Sequence, residues 1–276
     1  MIDPKVTHRR FENTHAIVTG GGRGIGRAVS LRLASEGADV LMLGRTLEPL
    51  EAVAGEISEA GRVGWSLQAD VSSSADVDAA VGTALERWGR LDVLVNNAAI
   101  DDPAPFLDIE EANWDRVLAV DLKGPFLLSQ RVARSIVRTG SGGAIVNVAS
   151  VDAFGYDGPY ASYAAAKAAL LSLTRSMAVE LAPHEIRTNS VSPAWTATEM
   201  MEAAIGPALA DRLATRFDRI PLGRTVRTDE VASAVAFLAS EDAAGITGAN
   251  LVVDGGLTST LYVMETIPDE KEVNDG

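Results

Sequence analysis

Tyr163 stands four residues before Lys167 in the run Tyr163-Ala164-Ala165-Ala166-Lys167. On a helix that spacing puts phenol and ammonium on one face, a turn apart. A free phenol loses its proton near pH ~10 and a free lysine near ~10.4. A fixed ammonium favours phenolate over phenol, so such a pair could pass a proton to a bound molecule near neutral pH. An alanine-rich helix can also carry a Tyr and a Lys by chance. The pair takes its meaning from the residues around it.

A second group of residues is built for phosphate. Thr19-Gly20-Gly21-Gly22-Arg23-Gly24-Ile25-Gly26 lies between an expected first strand and first helix. Glycines there allow a tight turn and a close approach of backbone to phosphate, and the helix N-terminus offers free N–H groups and partial positive charge. The spacing departs from strict G-x-G-x-x-G. It also lacks the Gly-Lys-Ser/Thr ending of a nucleotide-triphosphatase loop, which disfavours ATP or GTP hydrolysis. A ligand-free Gly-rich turn is the plain alternative. Its place after the first strand of a βαβ pattern favours a dinucleotide.

These groups must be positioned by alternating strands and helices. Apolar runs predict strands at Ala16–Thr19, Asp39–Leu43, Gly64–Ala69, Leu91–Val95, Gly143–Ala149, Ile186–Ser192 and Asn250–Val253. Helices are expected at Gly24–Ser35, Leu47–Ala60, Ser74–Trp88, Ile109–Val137, Tyr160–Leu181 and Asp229–Ala239. Alternation of this kind implies right-handed crossovers and a doubly wound parallel sheet of about seven strands, a three-layer α/β/α fold of Rossmann type. The near-continuous apolar strands suit a sheet covered on both faces. No internal boundary interrupts residues 1–256, read as one domain. Residues 257–276, with Asp269, Glu270, Glu272 and Asp275, read as an acidic surface arm or tail.

Bulk properties exclude several classes. The chain of 276 residues has net charge -14, which argues against nucleic acid or an anionic membrane as partner. No apolar run is long enough to span a bilayer, and the basic N-terminal stretch has no apolar core of a signal peptide. There are no cysteines, so thiolate catalysis, disulfides and Cys-based metal sites are impossible, and a reducing cytoplasm fits. His8, His15 and His184 are scattered, so no metal site is expected.

Taken together, the phosphate loop, Asp70-Val71-Ser72, Asn96-Asn97-Ala98-Ala99, Ser150, Tyr163-x3-Lys167 and Asn189-Ser-Val-Ser-Pro193 resemble the short-chain dehydrogenase/reductase family over about Asn13–Gly256. Each motif alone is weak or moderate; in this order and spacing the set is specific. The resemblance implies an NAD(P)(H)-dependent oxidoreductase that interconverts a carbonyl and a secondary alcohol. Tyr163 would be the proton donor in reduction and the base in oxidation. Lys167 would lower its pKa and bind the nicotinamide ribose. Ser150, thirteen residues before Tyr163, would hold the substrate carbonyl. Hydride would move between the nicotinamide and the carbonyl carbon. Gly20, Arg23, Gly24, Ile25 and Gly26 would line the pyrophosphate. Asp70 and Val71 would meet the adenine, and Asn97 and Ala98 the adenosine, with Asn96 bracing the sheet. Thr196 and Thr198 would lie near the carboxamide and pyrophosphate. Asp70 and Ser72 also suit a helix N-cap, Ser150 a strand-end turn, and the threonines ordinary loop polarity.

The expected end of strand two reads Leu43-Gly44-Arg45, with no carboxylate for an NAD ribose. Arg45 could pair with a 2′-phosphate, helped by Arg23, which favours NADP(H) and leaves NAD(H) as the alternative. Both arginines could also be solvated surface residues.

The chain departs from the family pattern in three ways. Asp121 stands where an Asn usually supports a proton relay to the Lys, adding a charge near Lys167. Ala99 and Ala194 each replace a Gly. The chain also runs about twenty residues past Gly256, near where many family members end. The substrate lid is expected within about residues 194–225, with Met200, Met201, Ile205 and Leu209 as its apolar set. Asp152, Phe154, Trp195 and the loop Asp101–Phe106 are expected to line the pocket and to suit a neutral or cationic, partly apolar substrate. The helix Tyr160–Leu181 and the segment Gly248–Gly256 are, by resemblance, the contacts of a homodimer or tetramer. Three other functions stay open: a non-catalytic dinucleotide-binding regulator, a 3-oxoacyl thioester reductase, and a SAM methyltransferase. The last would want an acid at Gly44-Arg45 and has no need of the Tyr–Lys pair.

Overall fold

Each of the seven apolar runs forms a strand in the computed structural model, which describes residues 9–260. The strands are β1 (His15–Thr19), β2 (Asp39–Gly44), β3 (Gly64–Gln68), β4 (Val93–Asn96), β5 (Gly143–Val148), β6 (Ile186–Pro193) and β7 (Asn250–Val253). They make one sheet in the order β3-β2-β1-β4-β5-β6-β7, parallel at every pairing. In β1, Ala16, Ile17 and Val18 are fully buried because both faces of the sheet are covered.

The helices are α1 (Gly24–Ser35), α2 (Leu47–Glu59), α3 (Ser74–Trp88), α4 (Glu111–Leu118), α5 (Gly124–Thr139), α6 (Ala161–Leu181), α7 (Glu199–Ile205), α8 (Pro207–Thr215) and α9 (Thr228–Ala239). Apolar stripes of α1, α2 and α9, including Leu33, Val53 and Val235, pack on one face of the sheet. Those of α3 and α5, including Val81, Leu128 and Ile136, pack on the other. Gly89 and Gly140, both in the left-handed region, end α3 and α5. Burying one such Leu or Val side chain is worth about 1.5–3 kcal/mol. The two half-cores therefore hold the strand ends rigidly.

Two differences from the sequence reading bear on the site. The helix expected over Ile109–Val137 is broken by a π-helical turn, Ala119–Lys123, between α4 and α5. Pro125 accounts for it. It has no N–H for the Asp121 carbonyl four residues back, and its ring crowds that carbonyl. The expected lid folds into α7 and α8, separated at Gly206 with φ 80°. Of the expected extension 257–276, Leu257–Ser259 form a short helical turn with Leu257 buried in the core, and the residues beyond Thr260 lie outside the described ones.

The order of strands reverses between β1 and β4. The carboxyl ends of those two strands open the crevice in which folds of this kind bind ligands.

Candidate active site

Ser150 follows β5 in extended backbone, and Tyr163 and Lys167 face it from the first two turns of α6. Lys167 is 2% exposed despite its charge. Its Nζ donates to the Val148 carbonyl at 3.2 Å and lies 3.2 Å from Asp121 Oδ2. It also stands 5.2 Å from the centre of the Tyr163 ring. Asp121 is fully buried, and its Oδ1 accepts from the Ile100 N–H at 2.9 Å. The π-helical turn points Asp121 inward. Such turns recur at functional sites because they displace one side chain from the regular helical register.

Burial pushes the Asp121 carboxyl above its usual range, and Lys167 pulls it back. The Tyr163 phenol is pushed up by burial first, then by the negative charges of Asp121 and Asp152, while its hydrogen bond with Ser150 acts downward. Lys167 stands where the sequence placed it. In the protein alone burial, first, and the two carboxylates hold the phenol up.

Beside this group a cleft of about 750 Å³ runs along the carboxyl ends of β1, β2 and β4. Of the residues expected at the cofactor, Gly20, Arg23, Gly24, Ile25, Arg45, Asp70, Val71, Asn97, Ala98, Lys167 and Thr198 line it, while Gly26, Tyr163 and Thr196 do not. Gly20 (φ 64°) makes the turn. Gly26 lies beneath it, where an added Cβ would stand 2.0 Å from the Gly20 carbonyl oxygen. The first turn of α1 carries no acidic side chain, and no side chain caps its N-terminus. Its N–H groups are therefore open to an anion. Arg23 and Arg45 are exposed at the cleft and join no ion pair among the described residues. The cleft fits a dinucleotide phosphate on these grounds.

Several candidates do structural work as well. Thr19 Oγ1 accepts from the Asn97 and Ala98 N–H groups, both at 2.9 Å, and the Asn97 amide donates to the Thr19 carbonyl at 2.9 Å. Asn97 thus latches the glycine turn to β4. Asn96 braces the sheet as expected, donating to Asn147 at 2.8 Å. The cap of α3 is Ser73, one residue beyond the pair the sequence suggested. Asp70 instead accepts from the Ser72 backbone and hydroxyl at 2.9 and 2.7 Å, a turn that needs a short carboxylate. Thr198 caps α7.

A smaller pocket of about 160 Å³ adjoins the cleft. Ser150, Tyr163, Trp195, Asp101, Asp152, Met200 and Met201 line it, together with Thr196, which was expected at the cofactor. Phe154, Phe106, Ile205 and Leu209 do not. Phe154 and Phe106 are 52% and 77% exposed, and Phe106 opens the short helical turn Phe106–Asp108 beside an adjoining groove. Asp157 and Tyr160 also line the pocket and were not singled out from the sequence. Asp157 accepts a hydrogen bond from the Trp195 indole N–H, a contact across 38 residues that no local pattern signals. The Asp152 carboxyl is raised to about 6, by burial first and by the Asp157 charge second. Among the described residues no group of acids and histidines could hold a metal.

A family model described as enoyl-(acyl carrier protein) reductase matches residues 20–258. The cis-4-hydroxycyclohexanecarboxylate dehydrogenase of Sinomonas cyclohexanicum is 40% identical, over 90% of this chain and 98% of its own. A gluconate 5-dehydrogenase from Burkholderia cenocepacia, solved with NADP and tartrate, superposes with TM-score 0.85 at 34% identity over 92% of this chain and 99% of its own. A 3-ketoacyl-(acyl-carrier-protein) reductase from Brucella melitensis, solved with NADH, gives 0.82 at 36% identity over 90% and 99%. The ordered motifs, the sheet and these matches agree: the chain belongs to the short-chain dehydrogenase/reductase family.

Proposed function

We propose that this protein is a nicotinamide-dependent oxidoreductase, NADP(H)-preferring, that interconverts a ketone and a secondary alcohol. One observation carries the reading. The Ser150 hydroxyl, the Tyr163 phenol and the buried Lys167 ammonium meet where the phosphate cleft opens into the small pocket.

Gly20–Gly26 and the start of α1 would hold the pyrophosphate, and Lys167 the ribose hydroxyls. A bound nicotinamide supplies or accepts the hydride. The protein's own part is proton transfer and positioning. Ser150 donates a hydrogen bond to the substrate carbonyl and so fixes it beside Tyr163. In reduction the Tyr163 O–H gives its proton to the developing alkoxide; in oxidation the phenolate takes it back. Lys167 steadies the phenolate charge, and Asp121 positions Lys167. Residues 194–225, with α7 and α8, form the lid over the pocket.

The reading is tested by following the reduced-nicotinamide absorbance with NADPH and a panel of small ketones. Binding of NADPH with no turnover of any ketone would instead support a non-catalytic regulator. The likeness to a 3-ketoacyl-(acyl-carrier-protein) reductase keeps thioester substrates as a second reading, and a 3-oxoacyl thioester belongs in that panel.

The cofactor preference rests on Arg45 and Arg23. A charge-assisted hydrogen bond is worth about 1.5–3 kcal/mol, or ~10- to 100-fold. Arg45→Asp is therefore expected to cut kcat/KM for NADP(H) at least tenfold and to raise it for NAD(H). Unchanged NADP(H) use in that variant would remove Arg45 as the reader.

Oligomerisation follows from two apolar faces. Phe126, Val137 and Val179 on α5 and α6 are 43%, 40% and 77% exposed, and Leu251 and Val252 on the edge strand β7 are 38% and 36% exposed. Copies meeting on both faces would form a tetramer, and on one a dimer. The cysteine-free composition supports a cytoplasmic setting.

A further inference from the structure

We propose that Asp152 selects the substrate: it accepts a hydrogen bond from a hydroxyl or ammonium group on the carbon next to the reacting one, and it excludes a carboxylate there. This rests on the oxidoreductase reading above and adds the substrate class.

Asp152 is tied to the catalytic serine by the chain itself. It lies in the short turn Val151–Ala153, and its N–H donates to Ser150 Oγ at 3.1 Å. Its side chain and the Ser150 hydroxyl line the same pocket. A substrate carbonyl held at Ser150 therefore lies in the pocket that Asp152 also lines. Heteroatoms on neighbouring carbons sit about one hydrogen bond apart. A substrate whose oxygen takes the place at Ser150 therefore brings its vicinal substituent to Asp152.

The surroundings set the sign. Asp152 lines both the catalytic pocket and an adjoining groove of about 450 Å³, so a substituent leaving the pocket toward that groove passes it. Asp157 and Tyr160 line both chambers too. No Lys, Arg or His among the described residues lines either chamber. The Asp157 carboxylate is engaged by the Trp195 indole, while Asp101 adds a third acid to the catalytic pocket. Lys167 acts on Asp152 only through the field, and its charge is met by Asp121. A carboxylate beside Asp152 would meet acids with no counter-cation, which is costly in a half-buried cavity. A donor group would meet an acceptor with an open lone pair.

The test compares one ring scaffold with four decorations: cyclohexanol, cyclohexane-1,2-diol, 2-aminocyclohexanol and 2-hydroxycyclohexanecarboxylate, each with NADP and with NAD. In the wild-type protein kcat/KM for the diol or the amino alcohol should exceed that for the hydroxy acid at least tenfold. Asp152→Asn should shrink that ratio at least tenfold, and Asp152→Ser, which is smaller, serves as the second variant. Equal or better use of the hydroxy acid by the wild-type protein overturns the inference while leaving the oxidoreductase reading intact. So does a ratio that survives both variants. Turnover of none of the four, with either dinucleotide, defeats both together.

Discussion

A Tyr163→Phe protein should fold, bind NADP(H) and reduce ketones about 10³-fold more slowly, within the ~10²–10⁴-fold range of positioned proton transfer. The substitution removes one oxygen and keeps the ring beside which Lys167 stands, 5.2 Å from its centre. Packing around α6 is therefore preserved, and the loss should fall on kcat rather than on the KM for the dinucleotide. Neither Ser150 nor Lys167 can stand in for the phenol. Ser150 is an uncharged hydroxyl, and Lys167 is held by Val148 and Asp121 beneath the ring. Asp152, raised to about 6, is the one other acid tied to Ser150. If kcat with saturating NADPH falls less than tenfold, the proton comes from elsewhere, and Asp152 is the first group to examine.

Asp121 carries the second large effect, and its two variants separate charge from structure. Removing one member of a buried ion pair typically costs about 3–5 kcal/mol, because the other charge is left without compensation. Lys167 and Asp121 are 2% and 0% exposed, so Asp121→Ala should lower stability by about that amount, read by urea unfolding. Asp121→Asn keeps the shape and the acceptor for Ile100 while deleting the negative charge. That charge raises the Tyr163 phenol. Without it the phenolate forms at lower pH, and alcohol oxidation, which requires phenolate, should gain rate at lower pH. The rising limb of the kcat profile is expected to move down by about one unit, the lower end of what a neighbouring charge does. An unmoved profile, or one displaced upward, would show that Asp121 does not act on Tyr163 through its charge.

The strands were legible because a sheet buried on both faces demands unbroken apolar runs, and Ile17, Leu41 and Leu94 sit at its centre. The phosphate cleft was legible because glycines at a strand-to-helix turn have few other uses. The π-helical turn at Ala119–Lys123 was not, although Pro125 marks the place where a regular helix must give way. Composition shows that a proline is there, but not whether the chain kinks, stops or widens. The exposure of Phe106 and Phe154 was equally hidden, since apolarity alone does not tell pocket from surface. Asp157 depends on Trp195, and Asn97 on Thr19 and Gly20; such pairings exist only after the loops are brought together.

Strand β5 joins these parts in a way that bears on robustness. Its Asn147 receives Asn96 and donates to Thr174 at 2.8 Å, its Val148 carbonyl holds Lys167, and Ser150 continues from its end. A single interior strand thus acts as the jig on which the reacting groups are mounted, covered by β6 and β7 on one side and by four strands on the other. Local opening in proteins begins where cover is thin and is rarest in central strands. The outer strands β3 and β7 can therefore fray with temperature, or drift in sequence, before the alignment of serine, tyrosine and lysine is disturbed. Substrate preference, carried by turns and by the lid, is free to change around a reaction centre that stays still.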